Sequence, residues 1–272
     1  MKKYIVNKEM IIFDFLKQSI SLSKNSIKSL LHDKYVYVND KCVTKYDYML
    51  KNDDIVEIKS TNDIDIIYED KDIIVVNKPY GLLTVSTDKE KNKTLYKMVS
   101  DYVKKTNKNN KVFIINRIDK DTSGIVMFSK SEKIKQLYQN NWNEIVKKRK
   151  YIAIVDGILK EKEGTIKSYL KEDKNHIVHS SKEGKLSITN YKVIKEKNNL
   201  SLLDINIETG RKNQIRVHMK ENKTPIYGDN KYGKKTKTRM FLHAYKLSLI
   251  NPKTKKQMTF ETSIPDEFNK II

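Results

Sequence analysis

Cysteine occurs once in the 272 residues, as Cys42. A lone thiol excludes an internal disulfide and a Cys-ligated zinc site. No stretch approaches the roughly 20 apolar residues of a membrane span, and the opening MKKYIVNKEM lacks the apolar core of a signal peptide. A cytoplasmic protein without a membrane partner is expected. No GxGxxG, GxxxxGK[ST], HExxH or GxSxG pattern is present, so dinucleotide-binding, phosphate-loop, zinc-protease and hydrolase-elbow chemistries have no signature here. His176 and His179 lie in a polar loop with too few partners for a metal site. Arginine is as scarce as histidine, at five residues each. Of 55 basic residues only Arg117, Arg149, Arg211, Arg216 and Arg239 are arginine, and none falls in the first hundred positions. A chain that writes its positive charge as Lys keeps Arg for a planar fork, bidentate pairing or base stacking. That directs attention to residues 110–240.

What is present is charge of one sign. The 55 basic residues stand against 34 acidic ones, a formal net charge of +21. Such a field favours polyanions, and counterion release makes nucleic acid the natural partner; the alternative is a Lys-rich but merely solvated surface. At 38% hydrophobic and 33% charged, the chain holds enough apolar residues for a core.

Residues 1–58 read as a small unit. MIIFDFLKQSI (10–20) has helical apolar spacing, as do Ile27, Leu30 and Leu31, with SLSKNS between them as turn and cap. YVYVNDKCV predicts two short strands around Asn39-Asp40, and IVEI (55–58) closes the unit. Lys24, Lys28, Lys34, Lys41 and Lys45 make either a basic binding face or an ordinary solvated one. The stretch LSKNSIKSLLHDKYVYVNDKCVTKYDYMLKNDDIVEI resembles the S-four RNA-binding domain. Residues 59–65 read as a linker.

In the remainder, DIIVVNKP (72–79) predicts a buried strand ending in a Pro turn, with a helix near 94–105. VFII (112–115) and GIVMFSK (124–130) are strands flanking a polar loop. A helix over 132–147 leads into YIAIVDG, and further strands are expected at 187–194, 201–208 and 239–250. The absence of βαβ alternation favours an α+β fold: a mixed, mainly antiparallel sheet with flanking helices.

Two clusters carry chemistry. In NRIDKDTSGIVMFSKS (116–131), apolar strands deliver Asn116, Arg117, Asp119, Asp121, Thr122 and Ser123 into a loop. It reads either as a ligand-approaching loop or as a tight turn capped by Asp and Ser. In IETGRKNQIRVHMKENKTPIYGDNKYG (207–233), an extended backbone would turn Gln214, Arg216 and His218 one way, whereas a helix would group Lys212 with Arg216. A basic loop that grips phosphate without chemistry is the plainer alternative.

Taken in order, VVNKPYGL, NRIDKDTSGIVMFSK, KRKYIAIVDG, TGRKNQIRVHM…TPIYGDNKYG and RMFLHAYKLSL…P resemble the motif set of RluA-type pseudouridine synthases across residues 64–265. The resemblance implies the pseudouridine synthase fold over 64–272, an S-four-like RNA-binding domain over 1–60, and no cofactor or metal. It implies an isomerase that converts specific uridines of RNA, foremost 23S ribosomal RNA, with a monomer expected. By the same resemblance Asp119 is the catalytic carboxylate, Tyr151 stacks on the target base, and Arg216 pairs with Asp119. Arg117 helps displace the nucleotide, while Arg211, Gln214 and His218 shape the site and its phosphate contacts. Asn116, Thr122, Asn213, Lys24 and Lys28 complete the RNA-contacting set. Asn116 and Asn213 stand where the family usually has His; they keep hydrogen bonding but lose titration and ring stacking. The rival reading is a non-catalytic RNA-binding or ribosome-assembly factor with a decayed synthase domain.

Overall fold

A computed structural model describes residues 2–20, 22–32, 35–58, 64–88 and 90–272. Two compact units follow one another in the chain, Met1–Asp63 and Ile64–Ile272. Lys34, Ser21 of the predicted turn and residues 59–63 of the predicted linker lie outside the described residues.

In the first unit, β1 (Lys2–Ile5) and β2 (Met10–Ile11) precede helices α1 (Ile12–Ser19) and α2 (Lys24–His32), followed by β3 (Val36–Val38), β4 (Lys41–Cys42), β5 (Met49–Leu50) and β6 (Ile55–Ile58). Ile12, Phe15 and Leu16 of α1 and Ile27, Leu30 and Leu31 of α2 are buried together, as their helical spacing requires. Asn39 and Asp40 both take positive φ (45° and 64°), the backbone of a two-residue hairpin turn. Strand β1 was not anticipated; it pairs antiparallel with β6, so the sheet runs β1-β6-β3-β4.

The second unit opens with β7 (Asp65–Glu69) and β8 (Ile73–Lys78), then α3 (Leu95–Lys104), β9 (Phe113–Ile114), β10 (Ser123–Ser129), α4 (Glu132–Asn140) and α5 (Trp142–Ile145). Next come β11 (Val146–Asp156), β12 (Glu163–Glu172), β13 (Val178–Ser180), β14 (Lys185–Lys197), β15 (Leu200–Ile207), α6 (Gln214–Glu221), β16 (Leu242–Ile250), β17 (Gln257–Glu261) and α7 (Asp266–Ile271). Eleven strands form one sheet, ordered β13-β12-β14-β15-β11-β16-β10-β8-β7, with β17 on β16 and β9 on β10. Among the described strand-to-strand pairings only β10–β16 is parallel. The architecture is the α+β arrangement the pattern predicts.

Local chemistry sets the element ends. Thr94 accepts from the Lys97 N–H and starts α3; Ser131 accepts from the Ile134 N–H and starts α4. The single helix expected over 132–147 is interrupted: α4 ends at Asn140, and strand β11 begins at Val146. Asn140-Asn141 is a poor helix interior because its amides compete for backbone groups. Residues 214–221 are helical, which settles the open choice against an extended strand. One face of β11 and β15, with Ala153, Val155, Leu203 and Ile205, packs on Ile215 and Met219 of α6. The opposite face, with Ile152 and Ile154, packs on Phe268 of α7. No helix among the described residues is long and apolar enough to cross a membrane.

Candidate active site

Strand β10 is buried at every residue, and the loop before it is held from both sides. Lys78, wholly buried at the end of β8, donates to the carbonyls of Pro79 (3.0 Å), Leu82 (2.6 Å) and Lys120 (2.9 Å). Gly81 N–H donates to the same Lys120 carbonyl, and the Thr84 hydroxyl donates to the Ile118 carbonyl at 2.8 Å. The backbone on each side of Asp119 is therefore fixed by the segment that follows β8. Burial pulls the Lys78 ammonium down to about 7, with Asp121 and Asp119 acting against it. After Asp119 the chain turns through Thr122 and enters β10 at Ser123, followed by Gly124 with φ +117°. A Cβ there would lie 2.2 Å from the Ala244 carbonyl oxygen of β16, so only glycine lets the two strands run parallel at this point.

Asp119 opens into a cavity of about 410 Å³. Its walls include Tyr151 from β11, Ile207 at the end of β15, Gln214, Ile215 and Arg216 from α6, and Leu242 from β16. Among the described residues Asp119 is the one carboxylate on that lining, no histidine reaches it, and four of the five arginines do: Arg117, Arg149, Arg211 and Arg216. The Asp119 side chain is 31% exposed, and its Oδ2 lies 3.5 Å from Arg216 Nη1.

Arg216 has a second and tighter anion. Its Nε and Nη2 donate to the two oxygens of Asp229 at 2.7 and 2.8 Å, and Nη1 donates to Asn213 Oδ1 at 2.9 Å. Arg216 does pair with Asp119, as expected, but through the longer contact; its bidentate partner is Asp229, which the sequence reading did not name. Asp229 has no exposed side-chain surface and also accepts from the Lys231 and Tyr232 N–H groups. Burial pushes the Asp229 carboxyl up, but the Arg216 guanidinium and those two amides outweigh it and hold it below the usual carboxylate range. Burial likewise opposes the charge on Arg216, and Asp229 and then Asp119 more than offset it. Tyr151 is half-buried; burial pushes its phenol up to about 12 against the pull of Arg149, so the ring stays neutral.

A family model described as RNA pseudouridylate synthase matches residues 72–221, more than half of the chain. The chain belongs to that family. It is an RluA-type enzyme, an isomerase of uridine in RNA, and the decayed-enzyme reading is not favoured. An uncharacterized RNA pseudouridine synthase of Mycoplasma pneumoniae is 31% identical, covering 94% of this chain and 89% of that one. Ribosomal large subunit pseudouridine synthase C of Rickettsia bellii is 32% identical, covering 76% and 70%. The solved structure of human RNA pseudouridylate synthase domain containing 4 shares the fold, with a TM-score of 0.63 at 21% identity over 75% of this chain and 90% of that one.

In this synthase the remaining residues singled out from sequence fall into two groups. Arg117, Arg211, Asn116, Thr122, Asn213 and Gln214 line the cavity with Asp119, Tyr151 and Arg216. His218 does not. It is wholly buried on α6, bonded to Ser168 (3.0 Å) and Thr189 (2.9 Å), and burial depresses its pKa. As placed it reaches no phosphate, which corrects that expectation. Gln214 spends both ends inside the protein: its oxygen accepts from Thr209 and the Arg211 N–H, and its amide donates to the Ile188 carbonyl and Thr189. It shapes the 209–211 turn. Asn213 bridges Arg216 and the Tyr232 hydroxyl, and Asn116 accepts from the Met127 N–H at 2.8 Å. Asn213 also sits at φ 55°, a left-handed conformation that a short polar side chain tolerates. Lys24 and Lys28 are exposed on α2 of the other unit.

Four residues escaped the sequence reading of the site. Asp229 stood in the second cluster without a role. Arg149 lines the cavity with its Nη2 donating to the Glu208 carbonyl. Lys78 and Thr84 brace the Asp119 loop. A lysine ending an otherwise apolar strand was the available signal for Lys78, since an ammonium is buried only with acceptors.

Proposed function

We propose that this synthase converts specific uridines of 23S ribosomal RNA to pseudouridine, as a cytoplasmic monomer, with Asp119 as its catalytic carboxylate. The unit Met1–Asp63 acts in this reading as an S-four-like RNA-binding module, with Lys24 and Lys28 on its RNA face. The ribosomal substrate is supported by relatives named ribosomal large subunit pseudouridine synthases C and D. One observation carries the catalytic assignment: among the described residues Asp119 is the sole acidic side chain on a cavity that four arginines also line.

The reaction breaks the bond from ribose C1′ to base N1, turns the base, and joins C1′ to C5. The C5 proton leaves and N1 gains one, so no atom is added and no electron donor is needed. The uridine must first leave its stack, at a cost of a few kcal/mol. Tyr151, a neutral ring on the cavity wall, offsets this by stacking, worth roughly 1–3 kcal/mol per base. Arg117 occupies the gap the base vacates, and Arg211 holds the phosphate. Asp119 supplies the anionic oxygen for covalent capture and proton transfer, oriented by Arg216 at 3.5 Å.

The test uses RNA labelled with tritium at uridine C5, whose release reports C5–H loss. Asp119→Asn should lower release by about 10²–10⁴-fold or more while RNA binding stays at the wild-type level. Turnover retained by that variant would remove Asp119 from the chemistry. Mapping pseudouridine in ribosomal RNA from a strain lacking the protein then identifies the site; a complete set of large-subunit pseudouridines there would exclude 23S RNA as the substrate.

A further inference from the structure

A second cavity, of about 320 Å³, opens on the far side of Asp119. The segment Leu83–Thr87 forms one wall and the turn Gly210–Lys212 the other, with Lys120 at its edge. It shares Arg117, Ile118, Asp119, Gly210 and Arg211 with the first cavity, so the two chambers meet at the catalytic carboxylate. We infer that this second cavity seats the nucleotide next to the target uridine in the RNA chain, its base against Leu83 and Val85 and its phosphate against Arg211 and Lys120.

The inference rests on the proposed function and extends it to substrate context. RNA is continuous, so a uridine lodged beside Asp119 must be followed by a neighbour within one phosphodiester length. The shared rim is where that linkage has to cross. The second chamber offers what a nucleotide needs. Leu83, Val85 and Ile118 supply apolar surface for a base face, and cationic groups border it for the phosphate.

Those cations are available. Arg211 spends its Nε on the Leu186 carbonyl (3.2 Å), which aims the guanidinium and leaves its two terminal nitrogens open. Neither Lys120 nor Arg117 has an ion-pair partner among the described residues. Lys212 is discounted, because Glu172 already holds its ammonium. The wall is also preformed. Leu95 N–H donates to the Leu83 carbonyl at 2.8 Å, Tyr96 N–H donates to the Thr84 carbonyl at 3.1 Å, and the Thr84 hydroxyl is bonded to Ile118. A wall pinned to the start of α3 and to the Asp119 loop needs no ordering when RNA arrives.

The experiment compares synthetic RNAs carrying the mapped uridine, with an ordinary base or an abasic ribose on its 5′ or 3′ side. Tritium release is followed for wild type, Val85→Trp, which fills the chamber, and Val85→Ala, which trims its apolar wall but leaves it open. For wild type, kcat/KM should fall about tenfold when one of the two flanks is abasic. Val85→Trp should lose a similar factor on the intact RNA and nothing further on that abasic RNA, while Val85→Ala, which only trims the apolar wall, loses less than Val85→Trp on the intact RNA. Indifference of wild type to both abasic flanks, which involves no substitution and so no question of folding, overturns the inference. So does a Val85→Trp loss equal on intact and abasic RNA. A wild-type protein that releases tritium from no RNA fails differently: it overturns the proposed function, and this inference with it.

Discussion

Replacing Asp229 with Asn keeps its shape and removes its charge, and so isolates what the buried pair with Arg216 contributes. The carboxylate now takes four donors: Nε on Oδ2, and Nη2 with the Lys231 and Tyr232 amides on Oδ1. An asparagine keeps most of these by leaving its oxygen at the Oδ1 position. Its NH2 then faces Nε, donor against donor, and the guanidinium loses its main counter-charge while remaining about 8% exposed. Breaking one side of a buried pair costs about 3–5 kcal/mol. Asp119, 3.5 Å away and still partly hydrated, absorbs part of the loss, so the lower end, about 3 kcal/mol, is expected. For a domain of this size that corresponds to a Tm lower by roughly 6–12 °C.

The catalytic consequence differs from the thermal one. A guanidinium released from Asp229 closes on Asp119 and occupies the oxygen that should face the uridine. Tritium release should therefore show a reduced kcat with KM for RNA little changed. The double variant Asp229→Asn, Arg216→Met removes both charges and should be more stable than Asp229→Asn alone, because no unpaired charge remains. A single variant that melts with wild type and turns over normally would refute the claim that Asp229 holds Arg216 in place.

Arg216→Lys should lower kcat by at least about tenfold, because an ammonium cannot span both Asp229 oxygens and still reach Asp119; wild-type kinetics would remove the fork from the account. Lys78→Met should loosen the Asp119 loop and lower kcat. It should also flatten a pH dependence. With Lys78 near 7 in the fold and at 10.5 unfolded, the unfolded chain binds more protons between those values, so wild-type stability gains from this residue as pH rises through the window, and denaturant melts at its two ends should show Lys78→Met without that gain. Asn213→Ala should melt lower than Asn213→Gly by about 1 kcal/mol, since alanine resists the left-handed backbone that glycine accepts; both should lower kcat alike, because each removes the Arg216 Nη1 contact.

The fold was legible wherever one periodicity ruled a segment. Strand β10 reads as a continuous apolar run because both of its faces are covered. Helix α3 carries a Thr cap and a one-sided apolar stripe. Strands β12 and β13 were missed because Lys, Glu and Tyr alternate with the few inward residues, and the long β12–β14 ladder is recorded only in pairings distant in sequence. Helix α6 stayed ambiguous for a related reason. Nearly all its residues are buried, so no polar face marked a 3.6-residue period. At the site, scarcity was the informative signal: four of five arginines meet in one cavity. The pairing of those arginines was not legible, since Asp229 lies on a turn whose closeness to α6 depends on Gly228 (φ +79°) packing against the Arg239 carbonyl.

Unspent hydrogen-bonding capacity separates the side chains that face a substrate from those that hold them. Gln214 has four partners within the protein, Asp229 four, Asn213 two, and His218 one on each ring nitrogen. A group so committed can meet RNA only by abandoning a buried partner, which costs about 1–3 kcal/mol for each polar group left alone. The Asp119 side chain stays 31% exposed, and the two terminal nitrogens of Arg211 and the guanidinium of Arg117 stand without protein partners among the described residues. Only the bond inventory divides them, and it leaves one carboxylate and two arginine forks to meet the nucleotide.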